Sequence, residues 1–181
     1  SGAVAAQGDL FDARPWAICP GGVAEAGRVA IVEQLVRDCG ADPLIVDAES
    51  HDAAVALVSH LPQIAASAVA GQLGDAAPAA MTLAGQGLRD TVRIAGSDPR
   101  LWVDILTANA GALAPIVSRL SAELAEVAEA LTAVAEGDAD GTGDDVLADR
   151  DVDKMIKRFL DRGRRGFARI PGKHGAPATA Y

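Results

Sequence analysis

The hydrophobic pattern of this chain changes character once, at Asp47. Before it lies a single strand–helix–strand; after it, every periodic stretch repeats at helical spacing. Arg14-Pro-Trp-Ala-Ile-Cys-Pro20 reads as a short buried strand closed by proline. Ala24 to Cys39 places Val29, Val32, Leu35 and Val36 on one side of a helix, and Gly40 fits the C′ position that ends it. Pro43-Leu-Ile-Val46 reads as a second short strand. Such a βαβ unit is expected to be parallel and right-handed. A parallel sheet needs more strands and cover on both faces. Residues 1–47 are therefore expected to be the end of a larger α/β domain whose other strands lie upstream of Ser1, and the chain is expected to be a fragment.

Beyond Asp47 the expected architecture is all helical. Asp47 suits an N-cap, with Glu49 in the first turn. That helix is expected to reach about Leu73, with Val55, Val58, Ile64 and Val69 among its apolar positions. A short helix covers about Pro78–Ala84, Gly85-Gln-Gly87 breaks the pattern, and another helix runs from Leu88 to Ala95. Asp98-Pro99 restarts the chain as N-cap and N1, and the helix that follows reaches about Asn109. From Leu113 to Val134, Leu113, Ile116, Val117, Leu120, Leu124, Val127, Leu131 and Val134 form a seam, made against neighbouring helices or against a partner chain. Residues 137–145 read as a polar loop and about 145–162 as a last helix. The Gly-, Pro- and Arg-rich remainder reads as a loosely held tail. The domains are thus 1–47, 48–165 and a flexible 166–181.

Composition narrows the function. A chain of 181 residues buries roughly 70% of its unfolded surface. With 50% apolar residues but only 3% aromatic, its core must be aliphatic side chains between closely approaching helices. A net charge of −9 argues against a general nucleic-acid binder. Eight of the sixteen Lys and Arg residues fall between Lys154 and Lys173, but cations near a helix C-terminus complement its dipole. Cys19 and Cys39 lack metal-ligand spacing and are expected to be buried free thiols of a cytoplasmic protein. No apolar run is expected to be long enough to span a membrane, and no metal site is expected.

Two polar clusters interrupt the apolar helices. In Ser59-His-Leu-Pro-Gln63, Pro62 removes a backbone donor and crowds the preceding turn, at a cost of ~3 kcal/mol. The expectation is a kink with a freed carbonyl near Val58, Ser59 and Gln63 on one face, and His60 about a quarter-turn away. A kinked core helix with a satisfied histidine gives the same pattern. In Leu88-Arg-Asp-Thr-Val-Arg93, Arg89 and Arg93 share a helix face, where like charges repel. Asp90 can offset part of that repulsion. A partly buried guanidinium there needs either a carboxylate of the same chain or a ligand anion. Trp102, just after a proline-started helix, suits a core or an interface.

Two further patterns fail. Gly85-Gln-Gly87 begins like a dinucleotide fingerprint but follows a helix and ends in Asp90. The acidic stretch Asp138–Asp149 has some calcium-loop spacing but no closing glutamate.

Taken in order, Leu10-Phe-Asp-Ala-Arg-Pro-Trp-Ala-Ile-Cys-Pro20, Val46-Asp-Ala-Glu-Ser-His-Asp52, Ser59-His-Leu-Pro-Gln63, Leu88-Arg-Asp-Thr-Val-Arg-Ile-Ala95 and Ser97-Asp-Pro-Arg-Leu-Trp102 resemble the prephenate/arogenate dehydrogenases of tyrosine biosynthesis. The resemblance covers roughly residues 1–165. It implies a mainly α fold, a helical dimerisation domain preceded by the βαβ remnant of a Rossmann-like domain. It also implies a homodimer and oxidative decarboxylation of prephenate (or arogenate) with NAD or NADP. The dinucleotide fingerprint and the catalytic histidine would precede Ser1, so no catalytic residue and no tightly bound cofactor are expected in this chain. By the same resemblance Arg93 holds a substrate carboxylate, and Ser59 and Gln63 line the substrate pocket. Trp102 reaches that pocket from the other subunit. His60, Pro62, Arg89 and Asp90 shape the site. The family often has histidine where Gln63 stands, and glutamine cannot titrate near neutrality. The contrasting reading, from a different class, is a non-catalytic helical interaction module.

Overall fold

The computed structural model describes residues 6–22, 26–139 and 146–171. They divide into two compact units, one drawn from the described parts of 1–15, 37–42 and 120–181, the other from 16–36 and 43–119.

The expected βαβ unit is present as β1 (Pro15–Ile18), α1 (Ala26–Asp38) and β2 (Asp42–Ile45). Asp42 N–H donates to the Arg14 carbonyl at 2.8 Å and Val46 N–H to the Ile18 carbonyl at 3.1 Å. The same sequence offset in both bonds makes the pair parallel. Gly40 ends α1 with φ +79°, as its place after Cys39 predicts. Its carbonyl accepts from Ala13 N–H at 2.8 Å, and Ala13 itself sits at φ +51°.

Burial here is less than the sequence suggests. Val36 is fully buried, but Ile31, Leu35, Leu44 and Ile45 are exposed, and so are both free thiols, Cys19 and Cys39. The expectation of a buried strand and buried cysteines is thus corrected. The two cysteines lie just past the ends of β1 and α1, and among the described residues no third strand or second covering helix reaches them.

The rest of this unit is helical. Asp47 caps α2 (Ala48–Val55), its carboxylate accepting from Ser50 N–H at 2.8 Å. That bond holds the Asp47 carboxyl below the usual carboxylate range. A π-turn (Ala56–His60) follows, then α3 (Leu61–Gly71). Next come α4 (Pro78–Thr82), α5 (Gln86–Val92), a 3₁₀ turn (Arg93–Gly96) and α6 (Pro99–Ala108), capped by Asp98 accepting from Arg100 N–H at 2.9 Å. The start of α7 (Ala110–Ala139) completes the unit. α3 packs against α5 and the 3₁₀ turn, and the buried positions are Ala56, His60, Gln63, Ala66 and Leu113.

Contrary to expectation, the continuous helical stretch Ala48–Gly71 is long and apolar enough, by length and composition, to cross a membrane. Abundant alanine raises its mean hydropathy despite Ser59, His60 and Gln63. Buried core helices meet the same criteria, and this one carries two polar side chains on its inner face, which hydrocarbon would penalise.

In the other unit, α8 (Val146–Phe167) runs on past the expected stop at Arg162. Arg162 pairs with Glu123 of α7, and Asp161 takes Lys157 at 2.8 Å and Arg164 at 3.7 Å. Lys154 likewise pairs with Asp151 at 2.8 Å. Hydrogen bonds from Lys154 and Lys157 hold the Asp151 and Asp161 carboxyls low. Lys154, Lys157 and Arg164 are therefore matched along their own helix, and Arg162 is matched by α7. The acidic loop considered for calcium falls largely outside the described residues.

Candidate functional site

The site is built around the π-turn. A proline at 62 removes one donor and would press its ring on the Val58 carbonyl in a regular α-helix. The chain answers by widening the preceding turn, so that Leu61 N–H donates to the Ala56 carbonyl, five residues back. The predicted interruption is therefore real, and a wide turn accommodates it.

Rewinding changes which side chains share a face. His60 is 8% exposed and Gln63 5%, on one buried stripe with Ala56 and Ala66, whereas Ser59 is exposed. The expected pairing of Ser59 with Gln63, and of His60 off to one side, is corrected on this point.

Gln63 Nε2 donates to Ser67 Oγ at 3.4 Å, one turn on. Its Oε1 is buried and, among the described residues, receives no hydrogen bond. Gln63 and Ser67 line a cavity of about 500 Å³, closed on the far side by Ser97, Pro99 and Trp102, with Ile64, Ala68, Ala95, Val103 and Leu106 completing an apolar wall. Ser97 is held by its hydroxyl donating to the Ile94 carbonyl at 2.7 Å. Trp102 also stands edge to face against His60, with ring centroids 6.2 Å apart and planes at 84°. Gln63, His60 and Trp102 are thus brought together within one chain.

Arg93 opens the 3₁₀ turn whose later residues, Ala95 and Ser97, wall this cavity. Its side chain is exposed and does not line the cavity. Among the described residues no carboxylate pairs with Arg93 or with Arg89, which is also exposed. Asp90 does not offset their repulsion by contact; it accepts from Gln86 Nε2 at 2.8 Å instead. The partly buried arginine face expected from Leu88 and Val92 is corrected accordingly. α5 gives way to the 3₁₀ turn at Arg93, so the i,i+4 register with Arg89 ends there.

One member of the site was not anticipated. Asn109, at the corner between α6 and α7, donates from Nδ2 to the Asp52 carbonyl at 2.8 Å and meets His60 Nδ1 at 3.3 Å. The sequence marks it only as a polar residue at a helix end.

Comparison with known proteins agrees with this picture. The family described as "Prephenate dehydrogenase, dimerization domain" matches residues 47–148. The chain is 39% identical to the probable prephenate dehydrogenase NovF of Streptomyces niveus over 178 residues, 98% of this chain and 47% of that protein. It is 32% identical to the cyclohexadienyl dehydrogenase of Zymomonas mobilis over 136 residues, 73% of this chain and 45% of that one. The crystal structure of prephenate dehydrogenase from Aquifex aeolicus in complex with hydroxyphenyl propionate and NAD+ superposes with a TM-score of 0.61 at 25% identity, covering 84% of this chain and 52% of that one. The chain spans about half the length of the curated relatives it matches. With the fold, the ordered motifs and the family match in agreement, the chain belongs to the prephenate dehydrogenase family and contains its dimerization domain.

Proposed function

We propose that this chain supplies the dimer interface and the substrate-carboxylate site of an NAD(P)-dependent dehydrogenase. That enzyme oxidatively decarboxylates prephenate, or the related arogenate, in tyrosine biosynthesis. For prephenate the substrate passes hydride to the nicotinamide, loses carbon dioxide and leaves as 4-hydroxyphenylpyruvate. The observation that carries this reading is Arg93. It is a guanidinium paired with no carboxylate among the described residues, at the head of the turn that walls the Gln63–Trp102 cavity.

The substrate is a dicarboxylate, and a planar guanidinium can hold a carboxylate by two parallel hydrogen bonds. Gln63 and Trp102 give the adjoining cavity one amide and one aromatic wall for the rest of the molecule. Ser59, exposed one turn before Gln63, would meet substrate from outside that cavity. His60, Pro62, Arg89 and Asp90 act by shaping the turns that present these groups.

Neither glycine-rich stretch of the sequence matches a dinucleotide fingerprint. Gly22-Val-Ala-Glu-Ala-Gly27, after β1, has alanine where the fingerprint needs the glycine that lets the backbone approach the pyrophosphate. Gly85-Gln-Gly87 caps and opens α5 and follows a helix, not a strand.

The dimer is supported by the family description and by the apolar side chains left exposed on the helical unit, among them Leu57, Val58, Leu101 and Val103. The test is steady-state kinetics of the full-length protein with prephenate and with arogenate. Arg93→Ala is expected to raise KM for the preferred substrate roughly 10- to 100-fold, the loss of a charge-assisted hydrogen bond of about 1.5–3 kcal/mol. Unchanged kinetics would overturn the assignment.

A further inference from the structure

We infer that Asn109 is a positioning residue of this site. It fixes His60 in the tautomer that carries its proton on Nε2, and so sets the ring against which the cavity's Trp102 stands. The inference takes its functional meaning from the substrate site proposed above.

The argument is one of donors and acceptors. Asn109 Nδ2 lies 2.8 Å from the Asp52 carbonyl oxygen and 3.3 Å from His60 Nδ1. An amide nitrogen carries two hydrogens and accepts none, so one hydrogen serves each neighbour. The amide cannot be turned over. That would bring its oxygen within 2.8 Å of the Asp52 carbonyl, setting acceptor against acceptor. With Nδ2 in place, His60 Nδ1 must be the acceptor, and the ring proton resides on Nε2.

Position makes this choice matter. His60 is 8% exposed, so bulk water does not readily supply an alternative partner. It lies in the π-turn, and its face or edge meets Trp102 at 84°. Asn109 sits where α6 and α7 meet at about 100°. A single amide therefore ties three things together: the last carbonyls of α2, the ring of the wide turn and the corner that carries Trp102's helix into the next.

The experiment is ¹⁵N–¹H NMR of the imidazole nitrogens in the full 181-residue chain, assigned with His60→Gln. His60 in the unaltered protein is expected to show a proton-free Nδ1 and a protonated Nε2. Asn109→Ala is expected to lose the single tautomer, and Asn109→Asp, whose carboxylate accepts, to move the proton to Nδ1. A protonated Nδ1 in the unaltered protein overturns the inference even if both variants fail to fold. So does an Asn109→Asp variant that folds and keeps its proton on Nε2.

In the full-length enzyme, Asn109→Ala is expected to raise substrate KM about fivefold with kcat little changed, equivalent to ~1 kcal/mol. If the full-length protein turns over neither prephenate nor arogenate, the functional reading fails while the tautomer stands or falls on the spectra.

Discussion

His60 and Trp102 meet edge to face, their ring centroids 6.2 Å apart, across the junction between the π-turn and α6. A T-shaped aromatic pair contributes about 0.5–1.5 kcal/mol beyond the area it buries. The pair should therefore be energetically coupled. A double-mutant cycle of His60→Ala and Trp102→Ala, followed by urea denaturation, is expected to give an interaction energy of about 1 kcal/mol. Strict additivity would show that the rings merely lie near each other.

Gln63 carries the one buried side-chain acceptor without a donor among the described residues. An unmet buried acceptor costs about 1–3 kcal/mol. Gln63→Leu, similar in size and free of that demand, is expected to raise stability by about 1 kcal/mol in urea melts. The same change should weaken substrate binding in the full-length enzyme. A variant that is less stable would mean that the amide is satisfied in solution.

Asp47 gives stability a pH dependence of known sign. The Ser50 backbone bond lowers its pKa in the folded chain, from an ordinary value of 3.8. A carboxyl with a depressed native pKa contributes stability that is fully present above its unfolded value. That contribution is lost as pH falls through the lower, native one. As pH falls through and below the ordinary 3.8, the unaltered chain should thus lose part of its stability through this cap. Asp47→Asn, which keeps an acceptor but cannot titrate, should flatten that part of the slope. Urea midpoints collected across the range would decide it, and identical slopes would remove the cap from the account.

Val58 is 71% exposed beside Leu57, on the outer side of the wide turn. Placing a charge there should leave the fold of one subunit intact and disfavour burial against a second. Val58→Glu in the full-length protein is expected to shift sedimentation equilibrium from dimer toward monomer with little change in circular dichroism. A dimer of undiminished strength would put the interface on another face.

Local chemistry made much of the fold readable in advance. Asp47, Gly40 and Asp98-Pro99 mark ends where a side chain, a positive φ or a fixed ring satisfies backbone groups, and each stands where expected. Pro62 announced an interruption but not its form. A missing donor permits a kink or a widened turn, and only packing chooses between them. That choice moved His60 inward and Ser59 outward. The cysteines misled because thiols are usually buried, while these lie at element ends that nothing among the described residues covers. Asn109 escaped notice because its partners, Asp52 and His60, are distant in sequence. The cavity itself joins residues from α3, the 3₁₀ turn and α6, a convergence that no linear spacing encodes.

The wide turn at Ala56–His60 amounts to one surplus residue threaded into an otherwise regular rod. Its presence shifts the phase of everything upstream relative to everything downstream. A lineage that deleted one residue of Ala56–Ser59 would gain a tidier helix, yet the imidazole and the amide would both be rotated relative to Asp52 and the rest of α2. The change easiest on folding would then be among the hardest on ligand capture, so insertions and deletions in this segment should be far rarer than substitutions.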